Sequence, residues 1–212
     1  MQITQDVTVQ IDPTLSAALT DKNRLLQTTI DPTVTNAVWQ FNGEEGRPGL
    51  NLYLSDQTGS RSSATIPPLV LRNEVELMLR LHKLNKAIRR VRDWRHTVAV
   101  LFATLRPWCI ALPGNPCVQE GSGMVIEDMS GGYDVPELMV IRGNTAMVIT
   151  PVGAWVLGAD GRVDMLGPNY RAVLQYTRAT DQWYHVPDAA PYRELPLTEP
   201  LFRELAEACL DD

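Results

Sequence analysis

Three cysteines, three histidines and three lysines are all that 212 residues supply. Cys109, Cys117 and Cys209 are odd in number and lack a close Cys-x-x-Cys spacing. That excludes a disulfide framework as the organising principle, and reduced thiols are expected. The histidines, His82, His96 and His185, gather no set of metal ligands around them in sequence; Asp93 with His96 is an isolated pair. Long apolar runs are missing too. The longest, Val98 to Leu105, spans eight residues, where a membrane-crossing helix needs about 20. The opening Met-Gln-Ile-Thr-Gln-Asp has neither the basic nor the apolar region of a signal peptide. A cytoplasmic protein without membrane insertion is the expectation.

Cofactor and nucleotide signatures are equally absent. No Gly-x-Gly-x-x-Gly follows a strand pattern, and Gly59-Ser60-Arg61-Ser62-Ser63 lacks the spacing and the lysine of a phosphate-binding loop. Gly121-Ser122-Gly123 falls short of a nucleophile elbow. No cofactor is therefore predicted. The net charge of −6 and the pI near 5.1 argue against a surface that binds nucleic acid all over.

What the chain does have is a 44% apolar content, enough to bury a sizeable core without staples. A short echo, Ile11-Asp12-Pro13-Thr14-Leu15 and Ile30-Asp31-Pro32-Thr33-Val34, stops at two copies and makes no repeat array. The first copy reads as strand 6–11 followed by helix 13–27, with Asp as cap and Pro in the first turn. The second copy is ambiguous. Leu50 to Leu54 alternates as a strand, and residues 55–65 are small and polar, hence a surface loop.

Residues 69–106 then contain neither glycine nor proline, although the chain has 14 and 15 of them. Asn73 with Glu76 makes a capping box, and Leu77, Leu81, Leu84, Ile88 and Val91 form a stripe at helical spacing. This predicts helix 73–93. Residues 97–105 are either a buried strand or an extension of that helix, and Thr97, Val98 and Val100 favour the strand. Prolines and glycines between Arg106 and Gly123 mark the expected boundary. Beyond it, short alternating runs follow one another: 138–142, 146–149, 154–157, 162–166, 172–177 and 182–186, with turns at Gly143-Asn144, Pro151 to Gly153 and Asp160-Gly161. A helix at 198–210 closes the chain. The fold class is α+β. Residues 1–112 form an N-terminal lobe of short strands around the basic helix, and residues 113–212 an antiparallel meander with its terminal helix.

The functional signal is the charge of that helix. Residues 72–95 hold eight bases and three acids, a net +5, which leaves −11 on the other 188 residues. Lys83, Lys86, Arg89 and Arg90 fall opposite the leucine stripe. A solvated face, an acidic protein partner and a nucleic-acid backbone are the competing explanations. Trp155 and Trp183, with Tyr176 and Tyr184, are candidate aromatic docking residues. The reading is a non-catalytic subunit or adaptor that docks an anionic partner, a protein in preference to nucleic acid, through Lys83, Lys86, Arg89, Arg90, Trp155 and Trp183. The alternative is a small hydrolase or transferase using Cys109 or Cys117, with His96 and Asp93 as the nearest candidates for a base and its orienting group.

Overall fold

The computed structural model describes residues 8–11, 22, 25–27, 29–42, 49–57, 59–128, 130–187 and 193–211. Most of the expected helix 13–27 and the start of the expected strand 6–11 lie outside these. The chain divides into two compact units: Met1–Asp93 with Ile126–Tyr133, and Trp94–Val125 with Asp134–Asp212. Composition places the division near 112/113. Contacts place it at 93/94, inside a helix that contributes its first half to one unit and its second half to the other.

In the first unit four strands form one sheet in sequence order: β1 (Thr8–Ile11), β2 (Val34–Asn42), β3 (Gly49–Asp56) and β4 (Arg61–Ile66). β1 runs parallel to β2; the others are antiparallel. The second Ile-Asp-Pro-Thr copy is a turn into β2, with Val34 N–H bonded to the Asp31 carbonyl at 2.9 Å. The loop expected at 55–65 is instead the end of β3, a turn and β4. Its small polar residues are partly internal: Ser60 and Ser62 are fully buried, and the Ser62 hydroxyl donates to the Leu84 carbonyl at 3.2 Å. Trp39, Leu50, Leu52, Leu54 and Ile66 face the helix stripe of Leu77, Leu81, Leu84 and Ile88 in one apolar cluster.

Short α1 (Pro68–Leu71) leads into α2, Glu74–Ile110, of 37 residues. The Asn73 side chain accepts from the N–H groups of Val75 and Glu76 at 3.1 and 3.3 Å, so the expected cap is in place. The strand favoured at 97–105 is overturned, for α2 continues to Ile110. Val98, Leu101, Leu105 and Cys109 carry on a buried stripe at helical spacing. Thr104 bonds its hydroxyl back to the Val100 carbonyl at 3.1 Å, which lets a β-branched residue sit within the helix. Helix spacing of the buried residues outweighs the β-branched preference.

The second unit carries most of a seven-stranded antiparallel meander in the order β11-β10-β9-β8-β7-β6-β5. The strands are β5 (Cys117–Glu127), β6 (Gly131–Arg142), β7 (Thr145–Gly153), β8 (Arg162–Leu166), β9 (Arg171–Thr177), β10 (Gln182–Val186) and β11 (Leu195–Pro196). The α+β class is thus correct, as is the sequential order. Two details differ. Pro151 to Gly153 is the bulged end of β7, not a turn, and residues 154–157 make only a single bridge from Val156 to Ala159. Pro151 is tolerated where the register shifts. Helix α3 (Glu199–Leu210) is capped by Thr198 and buries Phe202, Leu205, Ala206, Cys209 and Leu210.

Close packing on this helix yields a sharp expectation. A Cβ on Gly167 would stand 1.9 Å from the Cys209 carbonyl oxygen, which is backbone and cannot rotate away. Gly167→Ala is expected to cost more than the roughly 1–3 kcal/mol of ordinary overpacking. Gly121→Ala, with its nearest neighbour at 3.8 Å, should shift stability by no more than about 0.5 kcal/mol. In the first unit, Leu84→Ala is expected to cost about 2–5 kcal/mol. Urea titration of the three variants measures each; equal midpoints for the two glycine variants would contradict the packing described.

Candidate functional site

The cationic side of α2 divides into two populations. Lys83 and Lys86 are exposed and have no ion pair among the described residues. Arg89 reaches the buried carboxylate of Asp31 and forms an ion pair with it. Arg92 donates to the Thr33 hydroxyl at 2.8 Å. Arg90 is half-buried and has a partner of its own. Of the four bases read as a partner-binding face, two are therefore committed within the fold, Arg89 to Asp31 and Arg90 to its own contact.

Asp31 explains why. Its backbone N–H donates to the Asn85 side-chain oxygen at 3.0 Å, and the Asn85 amide donates to the Thr29 carbonyl at 2.7 Å. Its carboxylate accepts from the Thr33 N–H at 2.9 Å and from the Thr33 hydroxyl. Burial pushes the Asp31 carboxyl upward. Hydrogen bonds from Thr33 and then Arg89, with the guanidinium charge, outweigh that and leave it below the ordinary carboxylate range. Sequence reading saw Asp31 only as an ambiguous cap.

On the same side of α2 the structure exposes residues that the sequence reading passed over. Val75, Met78 and Leu79 are 67%, 46% and 58% exposed. At 100° per residue, Val75, Leu79, His82, Lys83 and Lys86 share an arc of about 100°. Their signal was available: all three apolar residues fall off the leucine stripe.

The two tryptophans differ. Trp155 is half-buried, outside the strands, and partnered. Trp183 sits opposite Tyr176 across β9 and β10, with ring centroids 5.4 Å apart, and stands 5.9 Å from Trp94. It lines a groove of about 630 Å³ in the second unit, together with His96, Val100, Trp108 and Leu197. Burial, and then the Asp181 carboxylate that it hydrogen-bonds at 2.7 Å, push the Tyr176 phenol upward.

Cysteine chemistry finds little here. Cys109 is buried and its thiol is pushed up to about 12 by burial; Cys209 is pushed to about 11 for the same reason. A thiol held that high supplies almost no thiolate at neutral pH. Cys117 is exposed on β5, with the Gln119 amide 3.7 Å away. His185 is buried, and its Nδ1 is hydrogen-bonded to the Val173 carbonyl at 3.2 Å, which ties it into the sheet. Among the described residues no three His, Cys, Asp or Glu side chains gather as a metal site, and no helix is long and apolar enough to cross a membrane.

Arg89→Ala is expected to lose about 1–3 kcal/mol, since it strips a charged hydrogen bond from a buried carboxylate while its own side chain is partly screened by solvent. Lys86→Glu should stay within about 0.5 kcal/mol. Because the Asp31 carboxyl is held low when folded, its contribution is complete above its unfolded value and is lost as pH falls through the folded one. Acid unfolding of Asp31→Asn should lack that component, and an unchanged acid limb would overturn the assignment. For the thiols, a sulfhydryl reagent should label one group, Cys117, in the native protein and all three after denaturation without reductant.

Comparison of the chain with family models, with curated proteins and with solved structures finds no match.

Proposed function

We propose that this chain is a non-catalytic adaptor that docks an acidic protein partner on the exposed face of α2. The observation that carries the reading is the mixed character of that face. Exposed Val75 and Leu79 lead directly into exposed Lys83 and Lys86. Apolar contact beside positive charge suits a protein surface with its own apolar residues and carboxylates. A nucleic-acid backbone would use the charge and leave the aliphatic side chains in water. The net charge of −6 points the same way, since it repels a polyanion at long range. Arg89 contributes by occupying Asp31, so that buried acid does not draw on the exposed lysines. Trp183 and its groove offer a second contact for an aromatic-binding segment. The cysteine-dependent alternative is weakened by the burial of Cys109 and is left with Cys117 alone.

The test uses a partner captured from the native host, purified and titrated by calorimetry. Lys83→Glu with Lys86→Glu is expected to weaken binding by about tenfold or more and to flatten its salt dependence. Leu79→Ser should weaken binding without changing the salt slope. Affinity lost in both cases supports the mixed face. Affinity indifferent to Leu79, together with capture of duplex DNA or RNA, would replace the protein partner with a nucleic acid.

A further inference from the structure

The outer face of the first sheet carries a polar arrangement that the adaptor reading does not use. Register places Asn36, Ser55 and Arg61 in one row across β2, β3 and β4, and Val38, Tyr53 and Ser63 in the next. These six side chains belong to the alternation opposite Ala37, Trp39, Leu52 and Leu54, which fill the core. They are not simply solvated. The turn before β6 covers them, with Ser130 and Gly132 completing a cavity of about 340 Å³. The cover is close: a Cβ on Gly131, whose φ is +71°, would come within 2.7 Å of the Ser63 hydroxyl oxygen.

The chemistry of the cavity is specific. Among the described residues, Arg61 is the one charged residue in its lining, and it has no ion pair. At the other end of the row, the Asn36 side-chain oxygen is buried and has no hydrogen-bond partner among the described residues. Buried acceptors are normally satisfied, so this one marks a place for a donor. Ser55 stands between the two in the register. Two strand spacings separate the roots of Asn36 and Arg61 by about 10 Å, and a cavity of about 340 Å³ limits the occupant to a small molecule. Val38 and Tyr53 supply the apolar wall that most ligand sites have.

We propose that this cavity binds a small hydroxylated acid, its anionic group held by Arg61 and a hydroxyl donating to the Asn36 side-chain oxygen. Carboxylate and phosphate both satisfy a guanidinium, so sugar acids and sugar phosphates share the required chemistry. Neither the lysines of α2 nor a protein partner enters this proposal.

The experiment titrates the full chain at low salt with D-gluconate and with D-glucose 6-phosphate, followed by amide chemical shifts. D-glucose and acetate serve as probes that lack the charge or the hydroxyls. At least one of the two hydroxylated anions is expected to saturate, at least tenfold more tightly than D-glucose or acetate; which of the two binds tighter distinguishes carboxylate from phosphate. Arg61 is exposed, so Arg61→Gln should leave the fold unchanged and weaken binding about tenfold to a hundredfold, the loss expected for a charged hydrogen bond. Ser55→Val, which suits a strand and fills the middle of the row, should abolish binding independently. Shifts that fail to saturate by about 10 mM for both anions would overturn the proposal, as would binding that survives Arg61→Gln and Ser55→Val.

Discussion

The carboxylate of Asp31 is almost completely buried, and a charge in that position is tolerated only when it is paired and hydrogen-bonded. The pairing comes from far along the chain. Asn85 and Arg89 lie 54 and 58 residues beyond it, and Arg92 takes hold of the neighbouring Thr33. These contacts fix the turn into β2 against three successive positions on one side of α2, at 85, 89 and 92. The same turn is flanked by Ile30 and Val34, both in the apolar cluster that holds the leucine stripe. Charge and packing therefore specify one register of strand against helix. A slip of the helix by one turn would bury the carboxylate without its guanidinium.

This constraint also determines what the cations of α2 mean. In sequence, eight bases in 24 residues look like one feature. In space, Arg89 and Arg92 belong to the fold, and the charge available to a partner begins at Lys83 and Lys86. Periodicity shows which face a base occupies. It does not show whether an acid from a distant strand turn occupies that face too. The exposed apolar residues upstream were more legible, because any aliphatic side chain off the core stripe of an amphipathic helix requires an explanation.

The fold was read correctly where one signal dominated. The capping box and stripe gave the start of α2, strand alternation gave the antiparallel order of β6 to β10, and the apolar face that Leu201, Phe202, Leu205 and Cys209 share gave α3. Reading failed where two local signals competed. Thr97, Val98 and Val100 prefer strands by side-chain stiffness, yet each step of three or four residues from Val91 through Val98, Leu101 and Leu105 returns to a buried position, and that tertiary gain decides the matter. Pro151 suggested a turn and instead ends a strand at a bulge. The cavity on the outer sheet face was beyond sequence reading, because it depends on which three strands stand side by side and on a turn some 70 residues further along.

β4 shows how a composition can mislead. Ser62 and Ser63 looked like loop residues because serine is common in loops. Their smallness serves a different end on each side of the strand. Inside, Ser62 lets the backbone of α2 approach until its hydroxyl meets the Leu84 carbonyl. Outside, Ser63 lets the turn at Gly131 settle on the sheet, where no side chain at 131 would fit. A larger residue at 62 would push the helix away, and one at 63 would lift the cover from the row of Asn36, Ser55 and Arg61. Small residues on both faces of β4 thus mark a strand approached closely from both sides, and the closeness of the outer approach turns a row of side chains into a cavity that stays open to solvent at Arg61 and Tyr53.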